Sequence, residues 1–442
     1  MTAAAIALDP FPAPLDTKVV RPGDPAYQLR RHTYTTRGRP AAIIVCEDTA
    51  DVVGALVHAR DHGLPFSVRS GGHGISSPST NDGGIVIDLS RLDHVTVVNT
   101  AAGTVKVGPG ARWGDVAAAL HPHGLALSSG DSGDVGVGGL ATTGGIGLMS
   151  RQFGLTIDHL TAATLVTADA SVRHVSDSEQ PDLFWAVRGA GANFGIVTEF
   201  EFTASHVSDV VRASLGYSAT DTAAFLQAWG RTVEDSDRAI TAFLYLFPGG
   251  RTGAVVAMAT VVYAGSDIDA ARTALAPFTT LAPVTSADAQ LLPYAAVVQR
   301  TGGYHTGAVA SVTRSGLLTH LDQPAAALLA GMLASGATQS VQVRAVGGAV
   351  NDVAAAATAY AHRHQNFSVI AIAAPSLAVR LDEQWEALRP DLDGTYLSFE
   401  SSKQNQRLED AFPGPTLRRL RTLKTTWDPT GTFNQNFAID GA

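Results

Sequence analysis

Three glycine-rich clusters constrain this chain more than any other feature. They are SGGHG (Ser70 to Gly74), SSGDSGDVGVGGLATTGGIG (Ser128 to Gly147) and RGAGANFGIVTEFEF (Arg188 to Phe202), and each sits where a strand-like run meets a turn. Glycine pairs let a backbone turn sharply and approach a ligand closely, and successive backbone N–H groups on such loops form concave nests for anionic oxygens. One cluster alone signals only a tight turn. Three within one mixed α and β region point to a phosphate-bearing ligand, a nucleotide.

The surrounding pattern supports that region as a folded unit. TADVVGALVHARDHG has apolar residues at helical spacing and a closing glycine, and LPFSV reads as a strand that delivers His73 on the first glycine loop. IVIDL, HVTVVN and TVKVGPG are strand-like, and RWGDVAAALHPHG is helical. From about Val210 the texture changes. AITAFLYLFPGGRTGAVVAMATVVYAG reads as two long strands joined at a Gly-Gly turn, an antiparallel hairpin. DIDAARTALAPF and DEQWEALRPDL read as helices, and SVQVRAVGG and FSVIAIAAP as further strands. PTLRRLRTLKTTW predicts a last helix before the terminal DPTGTFNQNFAID. The fold class expected is α+β, with a large antiparallel sheet flanked by helices in the second part.

Composition removes several functions. A formal net charge of −9 over 442 residues offers nothing to offset phosphate repulsion, so nucleic acid is not an expected partner. The single cysteine, Cys46, excludes an internal disulfide framework and a cysteine-based zinc site. The pairs His121/His123 and His362/His364 lack both the i, i+4 spacing and the carboxylates of a metal site, so no metal is expected. The first residues lack the basic and apolar regions of a signal peptide, and no apolar run is long enough to span a membrane. A cytoplasmic protein without membrane attachment is the expectation.

GVGGLA from Gly136 formally matches a dinucleotide fingerprint, with Asp158 near the distance of a ribose acid. GDSGDV, not a hydrophobic strand, precedes it, and the third cluster leads into a strand instead of a helix. A Rossmann site is rejected.

Taken in order, VRSGGH, VGVGGLATTGGIG, LFWAVRGAGANFGIVTEF and WDPTGTFNQNFAID resemble the FAD-linked oxidases of the vanillyl-alcohol-oxidase superfamily, in its berberine-bridge-enzyme-like branch. The resemblance implies a two-part PCMH-type FAD-binding domain at 37–205, with 1–36 packed on it. It also implies a substrate domain at 206–395 and a C-terminal segment, 396–442, that returns to the FAD domain. It implies FAD covalently attached through one histidine, His73, whose neutral imidazole would bond the 8α-methyl. Arg69, Ser70, Gly71, Gly72 and Gly74 would bind pyrophosphate. Gly136, Gly138, Gly139, Gly144, Gly145, Asn193, Gly195, Ile196, Val197, Asn434 and Asn436 are the other expected FAD contacts.

Departures from the family pattern carry information. Ser132 stands where many relatives attach a second flavin bond through cysteine; a serine hydroxyl supplies no anion near neutral pH, so attachment is expected to be single. Val135 matches a position where, in relatives, a valine goes with dioxygen access, and it favours an oxidase releasing hydrogen peroxide. The usual AD-G turn appears as Ala168-Asp169-Ala170, and the usual LGGG as Thr142-Thr143-Gly144-Gly145. In TYLSFESS, Tyr396 matches a flavin-facing tyrosine and a candidate base, while Ser398 replaces an asparagine. Tyr304 and His305, in GGYHTG, are unassigned candidates.

The activity implied is removal of a hydride from a C–H next to a hydroxyl or amine of a small organic substrate, with dioxygen as electron acceptor. Three alternatives accompany it: an oxidase tailoring a phenol, polyketide or alkaloid, a dehydrogenase with another acceptor, and a flavin carrier without catalysis. Neither the substrate nor the oligomeric state is written in the sequence.

Overall fold

A computed structural model describes residues 10–249, 254–303, 305–308 and 310–441. Three main sheets organise it.

The first sheet has the order Val19–Val20, Ala42–Val45, Ile85–Asp88, Phe66–Arg69, and its last three strands are parallel. The apolar run AIIV is buried because a helix covers it. That helix, Thr49–Asp61, starts at Asp48, whose carboxylate accepts the Asp51 N–H at 2.8 Å, and ends before Gly63 at φ +60°. The chain then enters Phe66–Arg69 at the sheet edge, so the first glycine cluster leaves from the carboxyl end of a parallel strand. Ligands of open α/β sheets gather at such ends. Cys46 follows Val45 directly and is fully buried. Residues 1–9 lie outside the described residues.

The second sheet is antiparallel, in the order Val95–Asn99, Thr104–Val107, Ile196–Thr203, Leu160–Val166, Val172–Ser176. The third glycine cluster ends in the start of its central strand, with Ile196 opposite Val166. Helices Pro181–Ala190 and Gly414–Trp427 pack on it through Leu183, Phe184, Leu417, Leu420 and Leu423. The chain's end thus returns to this sheet. Asp428 holds that return, accepting the N–H groups of Thr432 and Phe433, and the buried Lys424 ammonium bonds Asp428 and the carbonyls of Asn193 and Phe433.

The third sheet has seven antiparallel strands in the order Val284–Pro293, Asp209–Ala219, Val255–Tyr263, Ile240–Phe247, Ser340–Ala345, Phe367–Ala373, Val312–Leu318. The hairpin of AITAFLYLF and AVVAMATVVY forms as expected, with Tyr245 opposite Met258. Gly250, in its turn, lies outside the described residues. Alternation decides which residues do what. Ile240, Ala242, Leu244 and Leu246 face a core closed by Thr222–Asp235, Gln323–Ser335 and Ala378–Leu388. Phe243 joins a second cluster with Ile146, Met149, Tyr360 and Tyr396, and Tyr245 packs against it. One face of this sheet therefore looks at the glycine loops.

Between the sheets Arg363, whose side chain is 2% exposed, makes two 2.8 Å bonds to the Asp158 carboxylate. Asp158 thus serves an ion pair and the N–H of Leu155, not a ribose.

Candidate functional site

A cavity of about 750 Å³ opens where the three glycine clusters meet the seven-stranded sheet. Its walls include Ser70 to Gly74, Ser132, Val135, Gly136, Gly138, Gly139, Asn193, Gly195, Ile196, Val197, Tyr396 and Asn436. The loops approach so closely that a methyl on Gly71 would fall on the backbone of Gly136, 2.7 Å from its Cα. Ser70 joins the first cluster to the second: its hydroxyl donates to Pro109 O at 2.6 Å and accepts the Gly138 N–H at 3.2 Å. Arg112 donates at 2.7 Å to both Gly71 O and Asp134 O.

His73 stands half-buried in this wall. Tyr34 stacks on its ring at 5.2 Å and His305 meets it edge-on at 4.6 Å. Its Nε2 is buried without a hydrogen-bond partner among the described residues. Burial, reinforced by His305 and Arg112, lowers its pKa to about 4, so the imidazole is neutral at ordinary pH. A neutral ring keeps a lone pair, and a buried nitrogen without a partner needs explaining. Among the described residues the loop N–H groups of Gly71, Gly72 and His73 also meet no protein acceptor. Backbone donors, glycines without side chains and an unmet imidazole together fit a dinucleotide with its ring edge at His73.

Several expected contacts lie elsewhere. Arg69 is buried and donates from Nε and Nη2 to Ser79 O, closing the first loop from behind without lining the cavity. Gly144 and Gly145 lie beneath Tyr396: a methyl on Gly144 would sit 3.0 Å from its ring, and the Gly145 N–H donates to its hydroxyl at 2.9 Å. Thr142 and Thr143 of the same motif do reach the cavity. Asn434 is exposed, because the terminal turn directs Phe433, Gln435, Asn436 and Phe437 inward instead. Asn193 lines the wall, but its side chain holds the chain's end through Phe437 O and the Ile439 N–H. Tyr396 caps the short 3₁₀ helix Leu397–Phe399. Ser398 meets Thr143 Oγ1 at 3.0 Å. Tyr304 lies outside the described residues.

The far wall was not legible in the sequence. Asp131, one residue before Ser132, receives the Tyr245 O–H at 2.6 Å and both ends of the Arg344 guanidinium at 3.1 and 2.9 Å. Burial pushes the Asp131 carboxyl upward, but Arg344 and Tyr245 outweigh it and hold it below the usual carboxylate range. Burial, then Asp131, pushes the Tyr245 hydroxyl well above the ordinary tyrosine value. SVQVRAVGG reads only as a strand; alternation puts Gln342 and Arg344 on one face, but nothing local says which face meets the cavity.

Glycine loops suited to a dinucleotide, with a seven-stranded antiparallel sheet closing over them, are the architecture these observations define. A family model described as "FAD binding domain" matches residues 40–176. (R)-6-hydroxynicotine oxidase of Paenarthrobacter nicotinovorans is 42% identical over 192 residues, 43% of this chain and 42% of that relative. That alignment spans less than half the relative's length. An uncharacterized FAD-linked oxidoreductase of Bacillus subtilis is 29% identical over 95% of this chain and 96% of its own. The crystal structure of 6-hydroxy-D-nicotine oxidase from Arthrobacter nicotinovorans superposes with a TM-score of 0.84 at 27% identity, covering 96% of this chain and 97% of that one. Residues 40–176 thus match an FAD-binding domain, and over nearly its whole length the chain is similar to FAD-linked oxidoreductases.

Proposed function

We propose that this protein is an FAD-dependent oxidase, with FAD held by a single covalent bond to His73. It acts on a C–H next to a hydroxyl or amine of a small organic molecule. FAD, when bound, takes up the hydride and passes the electrons to dioxygen, giving hydrogen peroxide. Residues 37–205 and the C-terminal segment from 396 hold the cofactor, with 10–36 packed on them, and 206–395 supply the substrate wall.

The observation that carries this reading is His73: neutral, its Nε2 unmet, held between Tyr34 and His305 on a loop of bare glycines. Gly71, Gly72 and His73 present backbone N–H groups suited to a pyrophosphate, and Gly136 to Gly139 and Gly195 to Val197 flank it. Ser132 lines the same wall but adds no second bond. Val135 leaves a small side chain for dioxygen to pass. Tyr396, steadied by the Gly145 N–H, orients the substrate's polar group.

Acid precipitation tests the attachment before any substrate is known. Yellow flavin should stay with the washed wild-type chain and leave the His73→Ala variant. Colour released from the wild type would remove the covalent bond from the reading. Peroxide release over a panel of amines and alcohols then tests the activity.

A further inference from the structure

The cavity wall opposite the glycine loops bears on which molecules can enter. Among its described residues the carboxylates are Asp131 and Asp134 and the cation is Arg344. Asp134 is fully engaged. It accepts the N–H groups of Thr301 at 3.0 Å and Gly302 at 3.3 Å, Nε of Arg300 at 3.4 Å, and the Thr301 hydroxyl. Asp131 and Arg344 engage each other through two bonds, with Tyr245 as a third donor to the carboxylate. The guanidinium also bonds Gln342 Oε1 at 3.1 Å and lies over the rings of Phe243 and Phe399, at 4.8 and 4.4 Å.

We infer that the Asp131–Arg344 pair sets the substrate class of this cavity: it binds the reacting group only in its uncharged form. The inference rests on the cavity being the substrate site described above. A cation or anion entering here would lose its water and find no charge free to replace it, and burying an unpaired ion is strongly unfavourable. A neutral hydroxyl, carbonyl or free-base amine meets suitable partners instead. Gln342 gives its amide oxygen to Arg344, leaving the amide N–H₂ for the cavity. Tyr396 accepts the Gly145 N–H, leaving its own proton to donate. The chemistry agrees: loss of hydride beside nitrogen needs the nitrogen lone pair, which an ammonium lacks. Pairing each charge within the wall is thus a device against ionic competitors as much as a contact for the correct ligand.

The test is binding of three matched probes, benzyl alcohol, benzoate and benzylammonium, to purified protein by equilibrium dialysis at pH 7, with flavin content read on the same samples. Wild type should favour benzyl alcohol over both ions. Asp131→Asn keeps the side-chain shape and frees the Arg344 charge, so it should tighten benzoate relative to the alcohol by about tenfold. Arg344→Gln should do the same for benzylammonium, and the double variant should return to the alcohol. Wild type binding either ion as tightly as the alcohol, or both single variants weakening all three probes alike, would overturn the assignment. If Arg344→Gln does not fold, Asp131→Asn decides alone. Protein that holds no flavin counts against the proposed function, while the probe pattern still decides the role of the pair.

Discussion

The neutral state of His73 has a measurable cost at low pH. Its pKa falls from 6.5 to about 4 in the fold, chiefly because burial strips water from the charged ring. Between those values the unfolded chain binds the proton and the folded chain does not, so stability falls as pH drops through 6.5 and levels off below about 4. At pH 5 the linkage amounts to about 2 kcal/mol, and water reaching a half-buried ring brings this to roughly 1–2 kcal/mol. The assay is urea unfolding of flavin-free protein from a riboflavin-limited culture, wild type against His73→Asn, at pH 7 and pH 5. Other histidines with lowered values, such as His159 and His362, contribute to both proteins and cancel in the difference. Wild type should lose that much more stability than the variant between the two pH values. Parallel behaviour of the two flavin-free proteins would refute a desolvated, neutral His73.

Arg363→Met should cost about 3–5 kcal/mol in urea unfolding, because it strands the Asp158 carboxylate, whose side chain is only 10% exposed. Gly71→Ala should lower the flavin-to-protein absorbance ratio: its methyl meets Arg112 Nη1 at 2.6 Å and the Gly136 backbone, at a strain of about 1–3 kcal/mol. Ala170 sits at φ +65°, a left-handed conformation that glycine adopts without strain, so Ala170→Gly should raise unfolding free energy by about 1 kcal/mol. Val135→Leu should slow reoxidation of photoreduced flavin by dioxygen about tenfold, a barrier change of about 1.4 kcal/mol, in stopped flow; an unchanged rate would remove Val135 from the oxygen path.

Local chemistry explains what could be read early. Glycine is unusual in what it lacks, so SGGHG, GVGG and GAGANFG announce close backbone approach wherever they fold. Alternation in ITAFLYLF and VVAMATVVY likewise specifies strands and their buried faces. Arg69 shows the limit. It adjoins the first cluster, yet strand alternation turns its guanidinium behind the loop to Ser79 O. Asn434 and Asn436 are two residues apart in one turn, and only the packing of Phe433 and Phe437 decides that Asn436 faces the cavity.

By itself the sequence determined the nucleotide loops, the histidine among them, the antiparallel sheet and the exclusion of disulfides. These depend on residue type and short-range periodicity, which survive without knowledge of neighbours. Only the tertiary structure decided the far wall. Asp131 and Arg344 are 213 residues apart and meet because the seven-stranded sheet and the second glycine loop close on one cavity. A charge's role depends on what lies within a few ångströms of it, and no spacing along the chain records that distance.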